Sequence, residues 1–306
     1  MMLRLSGLLL FACFSLRPQA APADKAQVQQ AIREKVKGFR GTVSLTAKNL
    51  RTGATITVDG SSPVRTASTI KLAIMVECFA EAAEGKLDLA ERIRLDGSEK
   101  VSGSGVLQDL SSNDELPLRD MIDLMIVLSD NTATNLILNR IGGNAVNERM
   151  QHLGLKNTRV MRKILGDRND LKPEPSGVTI EGAKPENKRW GIGRSSPDEM
   201  VWLLEQLYRG ELVSPAASRD MLDILKRQRD HNGIARDLKD VTIASKSGAL
   251  DALRSDVGIV FTAGAPVAIA ITVDDMPEPN WTPENPGELL ISRISELLLK
   301  GLVTSP

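Results

Sequence analysis

The sequence predicts a mixed α/β (α+β) fold in which an antiparallel sheet is built from N- and C-terminal segments, flanked by helices, with an all-α lobe inserted between its halves. Three observations carry this expectation. β-Branched runs stand toward both ends of the chain, "GTVSLTAKNL" and "GATITVDG" early and "VTIASKSG", "SDVGIVF" and "PVAIAITVDD" late. Helix signals fill the middle, and 306 residues, 42% apolar and 25% charged, suffice to bury a sizeable core. The expected division is a signal peptide over 1–23, a discontinuous α/β lobe over 24–60 and 212–306, and a mainly helical lobe over 61–211 that holds a long loop, 164–194.

At the N-terminus, Arg4 precedes a short apolar core from Leu5 to Leu16, and Ala21 and Ala23 are small residues suited to a signal peptidase, with cleavage expected near Ala23. That core falls short of the ~20 residues a membrane span needs. An exported protein, periplasmic or secreted, is expected. Cys13 after Leu10-Phe11-Ala12 loosely resembles a lipoprotein cleavage box, with lipid anchoring as the weaker alternative because Phe11 is bulky for it. Removal of the signal would leave Cys78 as the single cysteine, so no internal disulfide can form, and Cys78 reads as a buried apolar filler.

The early β-branched runs form a hairpin around Arg51-Thr52-Gly53. Ser68 to Glu84 reads as a helix with Glu77, Glu81 and Glu84 on a solvated side and Ile70, Ile74 and Met75 turned to the core. "LPLRDMIDLMIVLSDNTATNLILNRIGG" reads as two helices broken at Ser129-Asp130-Asn131 by a short exposed loop, the second stopping at Gly142-Gly143. From Ile164 to Arg194 the pattern dissolves into a Pro-, Gly- and Lys-rich surface loop. Ser196-Pro197-Asp198-Glu199 is a capping box that starts a helix through about Tyr208, Ser214-Pro215 opens another, and a last helix runs from about Pro286 to Lys300.

Charge excludes some functions. Lys plus Arg and Asp plus Glu balance at 39 each, so no net field draws the chain to nucleic acid. A monomer acting on a small molecule or peptide is expected. His152 and His231 are the two histidines, which argues against a multi-histidine metal site and for chemistry that uses neither histidine nor a cofactor.

Ser68 and Lys71 are three residues apart, so on a helix their side chains share a face. A nucleophilic serine needs a nearby proton acceptor, yet with a free pKa of ~10.4 a lysine is neutral about once in a few thousand at pH 7. Burial and a second cation would lower that pKa, which explains a lysine at the mouth of an apolar helix. A Ser-x-x-Lys spacing alone is weak, fitting an N-capping serine beside a snorkelling lysine, though Ser68 to Lys71 is its sole occurrence here. Ser129-Asp130-Asn131 in a helix break and Lys246-Ser247-Gly248 at a strand end would each, alone, read as a cap and a turn.

Together and in this order, the three motifs resemble those of the serine penicillin-recognising enzymes, most closely class A β-lactamases and their relatives. The resemblance spans nearly the whole chain after the signal and implies a β-lactamase/transpeptidase-like fold. It implies Ser68 as the nucleophile that attacks a lactam or peptide carbonyl, Lys71 as an aid to its deprotonation, and Ser129 as a proton relay to the leaving nitrogen. Asn131 would hold Lys71 and the substrate's amide side chain, Lys246 would supply positive potential, and Ser247 would bind the substrate carboxylate. The backbone N–H groups of Ser68 and of Ala249, next to Gly248, would form the oxyanion hole. Arg254 is either a second carboxylate anchor or a surface arginine.

One departure stands out. Class A β-lactamases are similar in carrying a glutamate, followed four residues later by asparagine, that activates the deacylating water. Of Glu174, Glu181 and Glu186, none has asparagine at that offset; counting back from Pro197 puts Glu181 nearest the place, as candidate base. The expected activity is a class A β-lactamase-like hydrolase that opens β-lactam amide bonds through a Ser68 acyl-enzyme. The alternatives are a D-alanyl-D-alanine peptidase or cell-wall acyltransferase acting on peptidoglycan stem peptides, and a non-catalytic penicillin-binding sensor that stays acylated.

Overall fold

The computed structural model of the chain describes residues 25–166 and 177–303. The expected signal peptide, Cys13 and Glu174 lie outside the described residues. The elements, in chain order, are α1 (Lys25–Lys37), β1 (Thr42–Asn49), β2 (Thr55–Val58), β3 (Val64–Arg65), α2 (Lys71–Ala83), β4 (Arg92–Arg94), β5 (Glu115–Pro117), α3 (Leu118–Val127), α4 (Asn131–Ile141), α5 (Gly143–His152) and β6 (Arg159–Val160). There follow α6 (Ile180–Ala183), β7 (Gly193–Ser195), α7 (Pro197–Arg209), α8 (Pro215–Leu225), β8 (Thr242–Leu250), β9 (Leu253–Phe261), β10 (Pro266–Asp274) and α9 (Pro286–Leu302).

The main sheet has the order β2-β1-β10-β9-β8, antiparallel throughout, so strands from early and late in the chain interleave as the β-branched runs predict. Strands β9 and β10 are covered on both faces, with every residue from Leu253 to Val260 and from Val267 to Val273 buried, the polar Arg254, Ser255, Asp256 and Thr272 among them. Helices cover both sides. One core packs Val28 and Ile32 of α1 with Ile291, Ile294 and Leu298 of α9 against Leu45, Ile269 and Ile271. The other joins Ala244, Ile259 and Ala270 to α2, α3, α4, α7 and α8. No helix among the described residues is long and apolar enough to cross a membrane.

Caps set the helix starts. Ser196 accepts a bond from Glu199 N and Ser214 one from Ala217 N, each with proline at the first helical position. The capping box at Ser196 is half used, because the Glu199 carboxylate reaches instead to the backbone N–H groups of Asn157 and Thr158.

Three expectations need correction. Glu77 is not on a solvated side: it is 3% exposed and bonded to Arg149 at 2.7 Å, since α2 runs through the helical core and is buried all round from Lys71 to Ala80. The break between α3 and α4 is not an exposed loop, for Asp130 there is 1% exposed and turned inward. Gly142 does end α4, but the chain re-enters a helix at once as α5, and α1 is an additional helix whose Val28, Ile32 and Val36 recur at helical spacing. Within 164–194 the described residues form α6 and a 3₁₀ turn over Pro185–Trp190.

Candidate active site

A cavity of about 1120 Å³ opens between the end of α3, the start of α2 and the edge of β8, and Ser68, Ser129, Asn131, Ser247, Gly248 and Ala249 all line it. Ser68 sits in a 3₁₀ turn, Ala67–Ile70, that runs directly into α2. The turn is held by Thr69, whose hydroxyl and N–H both donate to Thr66 O, and by the Thr66 N–H on Gly193 O of β7. Ala67 has φ 45° and Ser129 has φ 55°. Left-handed backbone at non-glycine residues costs about 1 kcal/mol or more each, and here it falls on Ser129 itself and on the residue before Ser68.

Lys71 is the first residue of α2 and is completely buried. Its Nζ donates to Ser129 O at 2.7 Å, Asn131 Oδ1 at 3.1 Å and Ser129 Oγ at 3.2 Å. Burial holds this amine well below the usual lysine range, the Lys246 cation pushes it the same way, and Asp130 pulls against both. A proton acceptor one helical turn from a serine and in contact with a second serine's hydroxyl can carry protons between them.

Asp130 organises the helix break. Its Oδ1 caps α4 at Ala133 N, while Oδ2 accepts from Val106 N at 2.7 Å and Leu107 N at 2.9 Å. The facing loop passes so close that a Cβ at Gly105, where φ is 107°, would lie 2.3 Å from Asp130. Asn131 Nδ2 donates to Ser102 O, so the Asn131 amide is oriented with its oxygen on Lys71. Asn135, one turn further along α4, accepts from Ile164 N and donates to Ile164 O, each at 2.9 Å.

On the other wall, β8 presses against the Ser68 turn. A Cβ at Gly248 would lie 2.8 Å from Thr66 O and 2.9 Å from Ser68 N, so glycine is what allows the strand to pass this close to the Ser68 turn. Lys246, completely buried, donates from Nζ to Ser247 O at 2.7 Å. Burial lowers its amine to about 8 against the opposing pull of Asp230 and Asp256. Asp256 itself is pushed up to about 7 by burial, although it accepts from Ile234 N.

Lys71 and Lys246 do not line the cavity themselves but bond to its lining residues Ser129, Asn131 and Ser247, whereas Glu181, Glu186 and Arg254 are not brought to it. Glu181 lies in α6, where its carboxylate pairs with Lys184 at 2.7 Å and accepts from Asn187 Nδ2. The Lys184 bond, with Arg159 and Arg194 nearby, holds it below the usual carboxylate range, and it does not line the cavity. The short α6 re-routes the loop, which counting residues back from Pro197 could not reveal. Glu186 is exposed in the following 3₁₀ turn. Arg254 is neither a cavity anchor nor a surface residue: it is 3% exposed and donates to the carbonyls of Leu250, Leu253 and Asn280, beside Glu288. It braces the β8–β9 turn.

Where a loop carboxylate would be expected, Ile164 and Leu165 line the cavity. Among the described lining residues the carboxylates are Asp230 and Asp251, on the β8 side, engaged by Asn232 and by Trp281 Nε1. Sequence reasoning missed three residues of the site. Asn135 had a usable signal, since it repeats Asn131 at i+4 on one face of α4. Ile164 and Gln228 had none.

The family model described as the β-lactamase enzyme family matches residues 27–302 of this chain. A β-lactamase from Sphaerobacter thermophilus is similar at 28% identity, covering 92% of this chain and 99% of that chain, with a TM-score of 0.75. A mutant of PBP-A, in an acyl-enzyme complex with penicillin G, is also 28% identical over 92% of this chain and 97% of that chain, with a TM-score of 0.75. A β-lactamase from Chitinophaga pinensis, 22% identical over 89% of this chain and 97% of that chain, with a TM-score of 0.74, shares the fold.

Proposed function

The chain belongs to the β-lactamase enzyme family, and on that premise we propose that it is an exported, class A-like serine hydrolase that opens β-lactam amide bonds through an acyl-enzyme on Ser68. The observation that carries this reading is the fully buried Lys71 amine, one turn from Ser68 and bonded to both Ser129 and Asn131. In the proposed sequence Ser68 Oγ bonds to the lactam carbonyl carbon as its proton passes to Lys71 Nζ. The C–N bond then breaks, and the nitrogen takes a proton through Ser129 Oγ, leaving the Ser68 ester. The Ser68 and Ala249 N–H groups receive the oxyanion; each such donor is worth about 3 to 4 kcal/mol. Ser247 receives the substrate carboxylate, with the buried Lys246 supplying positive potential behind it.

A second reading, a peptidase or acyltransferase of D-alanyl-D-alanine stem peptides, is favoured by one feature. Among the described residues of the loop, those that line the cavity, Ile164, Leu165 and Gly166, offer no base for a deacylating water, and a long-lived acyl group suits transfer to an amine. Steady-state and single-turnover kinetics separate the readings. Turnover of a chromogenic lactam with no cleavage of a D-alanyl-D-alanine peptide supports the hydrolase; peptide cleavage with a stalled lactam supports the second reading; a lactam adduct with neither turnover leaves a sensor.

The two buried lysines give a pH test. Because the Lys246 cation disfavours a proton on Lys71, Lys246→Ala should raise the Lys71 pKa and move the acid limb of the acylation profile to higher pH. Stopped-flow acylation of wild type and variant from pH 5 to 9 checks this. An unmoved limb would contradict the coupling. In wild type, capture of a substrate carboxylate should weaken as pH rises past about 8, where Lys246 loses its charge.

A further inference from the structure

Gln228 lies just beyond α8, is 5% exposed and lines the cavity, and no motif accounts for it. Its amide orientation is set by its own turn: Oε1 accepts from Arg229 N at 2.9 Å and from Asp230 N at 3.3 Å. The oxygen end is thereby committed, so the NH2 end must face the other way. It points at Ser247 Oγ, 3.4 Å away. The turn is also pinned to the catalytic floor, because Arg229 N donates to Val127 O, two residues before Ser129.

This geometry decides how Ser247 uses its hydroxyl. An amide N–H can only donate, so Ser247 Oγ is the acceptor in that contact and its own hydrogen is left to point elsewhere. Lys246 Nζ already occupies the Ser247 carbonyl. The free direction for the Ser247 hydrogen is the cavity that Ser247 lines. Gln228 has a second N–H with no acceptor among the described residues, on the same wall.

We propose that Gln228 is the positioning residue of an anion subsite, turning the Ser247 hydroxyl outward as a donor for a substrate carboxylate and so selecting carboxylate-bearing lactams or peptides over their esters. This rests on the reading of Ser68 as an acylated nucleophile. In the free enzyme the contact is long at 3.4 Å, and it tightens when the hydroxyl is polarised by a bound anion.

The test compares acylation efficiency toward benzylpenicillin and toward its methyl ester, with the Ser68 adduct followed by intact mass. Gln228→Met keeps the volume and removes the donor without adding charge; Gln228→Glu keeps an oxygen for the Arg229 and Asp230 N–H groups and replaces the NH2 by an acceptor. Both should lose about ten- to a hundredfold toward benzylpenicillin, through KM rather than kcat, as expected for a charge-assisted hydrogen bond. The ester should change by less than about twofold. In a Ser247→Ala background, Gln228→Met should add no further loss.

A role confined to folding the turn would lower both substrates equally, and that result overturns the proposal. So does a loss in the Ser247→Ala background as large as in wild type, which would mean Gln228 does not act through Ser247. If wild type forms no adduct with either lactam, the nucleophile assignment fails and the subsite falls with it. An adduct whose ester preference is unchanged in both variants rejects the subsite alone.

Discussion

Methionine in place of Lys71 is expected to slow acylation of Ser68 by about a thousandfold, within the ~10²- to 10⁴-fold that a positioned general base supplies. The thioether side chain would fill the volume while removing the amine. The three acceptors on Ser129 and Asn131 lose their donor, but the fold no longer buries a cation, and these two changes offset each other. The melting temperature should therefore move little. The pH dependence is the more specific sign. Burial first, and Lys246 second, hold Lys71 below its ordinary range, so wild-type acylation should rise with pH until Lys71 is neutral and then level off. In Lys71→Met that limb should vanish. Stopped-flow measurement with a chromogenic lactam reads both effects; a variant that retains wild-type rate and pH profile would remove Lys71 from the mechanism.

The second large effect concerns release. Each half of the reaction needs its own positioned base, and among the described residues the loop wall that would supply the second is Ile164, Leu165 and Gly166. Asn135 holds Ile164 through both its N–H and its carbonyl, so this segment is fixed in place with an apolar side chain. A lactam should then give a burst near one equivalent and a steady rate about 10²- to 10⁴-fold slower than acylation. Glu181→Gln should leave that slow rate unchanged, because Glu181 is paired with Lys184 away from the cavity. Ile164→Glu should raise it, since the clamped backbone would present a carboxylate to the same space. Rapid wild-type turnover would defeat this prediction, and its loss in Glu181→Gln would restore the sequence assignment.

These outcomes follow from what is local in the sequence and what is not. Ser68 with Lys71, Ser129 with Asn131, and Lys246 with Gly248 are each a few residues apart, so their joint geometry is dictated by one helix turn, one helix break and one strand end. Ser68, Ser129, Asn131 and Gly248 line one cavity, and the buried Lys71 and Lys246 bond to its lining residues Asn131 and Ser247. The sheet is legible for a similar reason: β1, β9 and β10 are runs rich in β-branched residues that are buried over most of their length. Glu77 is misread from sequence because helical spacing reports a face, not what covers it; Arg149 of α5 comes from 72 residues away. Glu181 and Arg254 are misplaced for the same reason, their surroundings being set by α6 and by the Asn280 carbonyl. Gln228 carries no motif, because its importance lies in which end of an amide its own turn has consumed.

The most direct test of the account is intact mass after exposure to benzylpenicillin. Wild type should gain one covalent penicilloyl group, mapped by peptide digestion to Ser68, and Ser68→Ala should gain none under the same conditions. A stoichiometric adduct on Ser68→Ala, or an adduct on wild type mapped to Ser129 or Ser247, would contradict the assignment of Ser68 as the nucleophile.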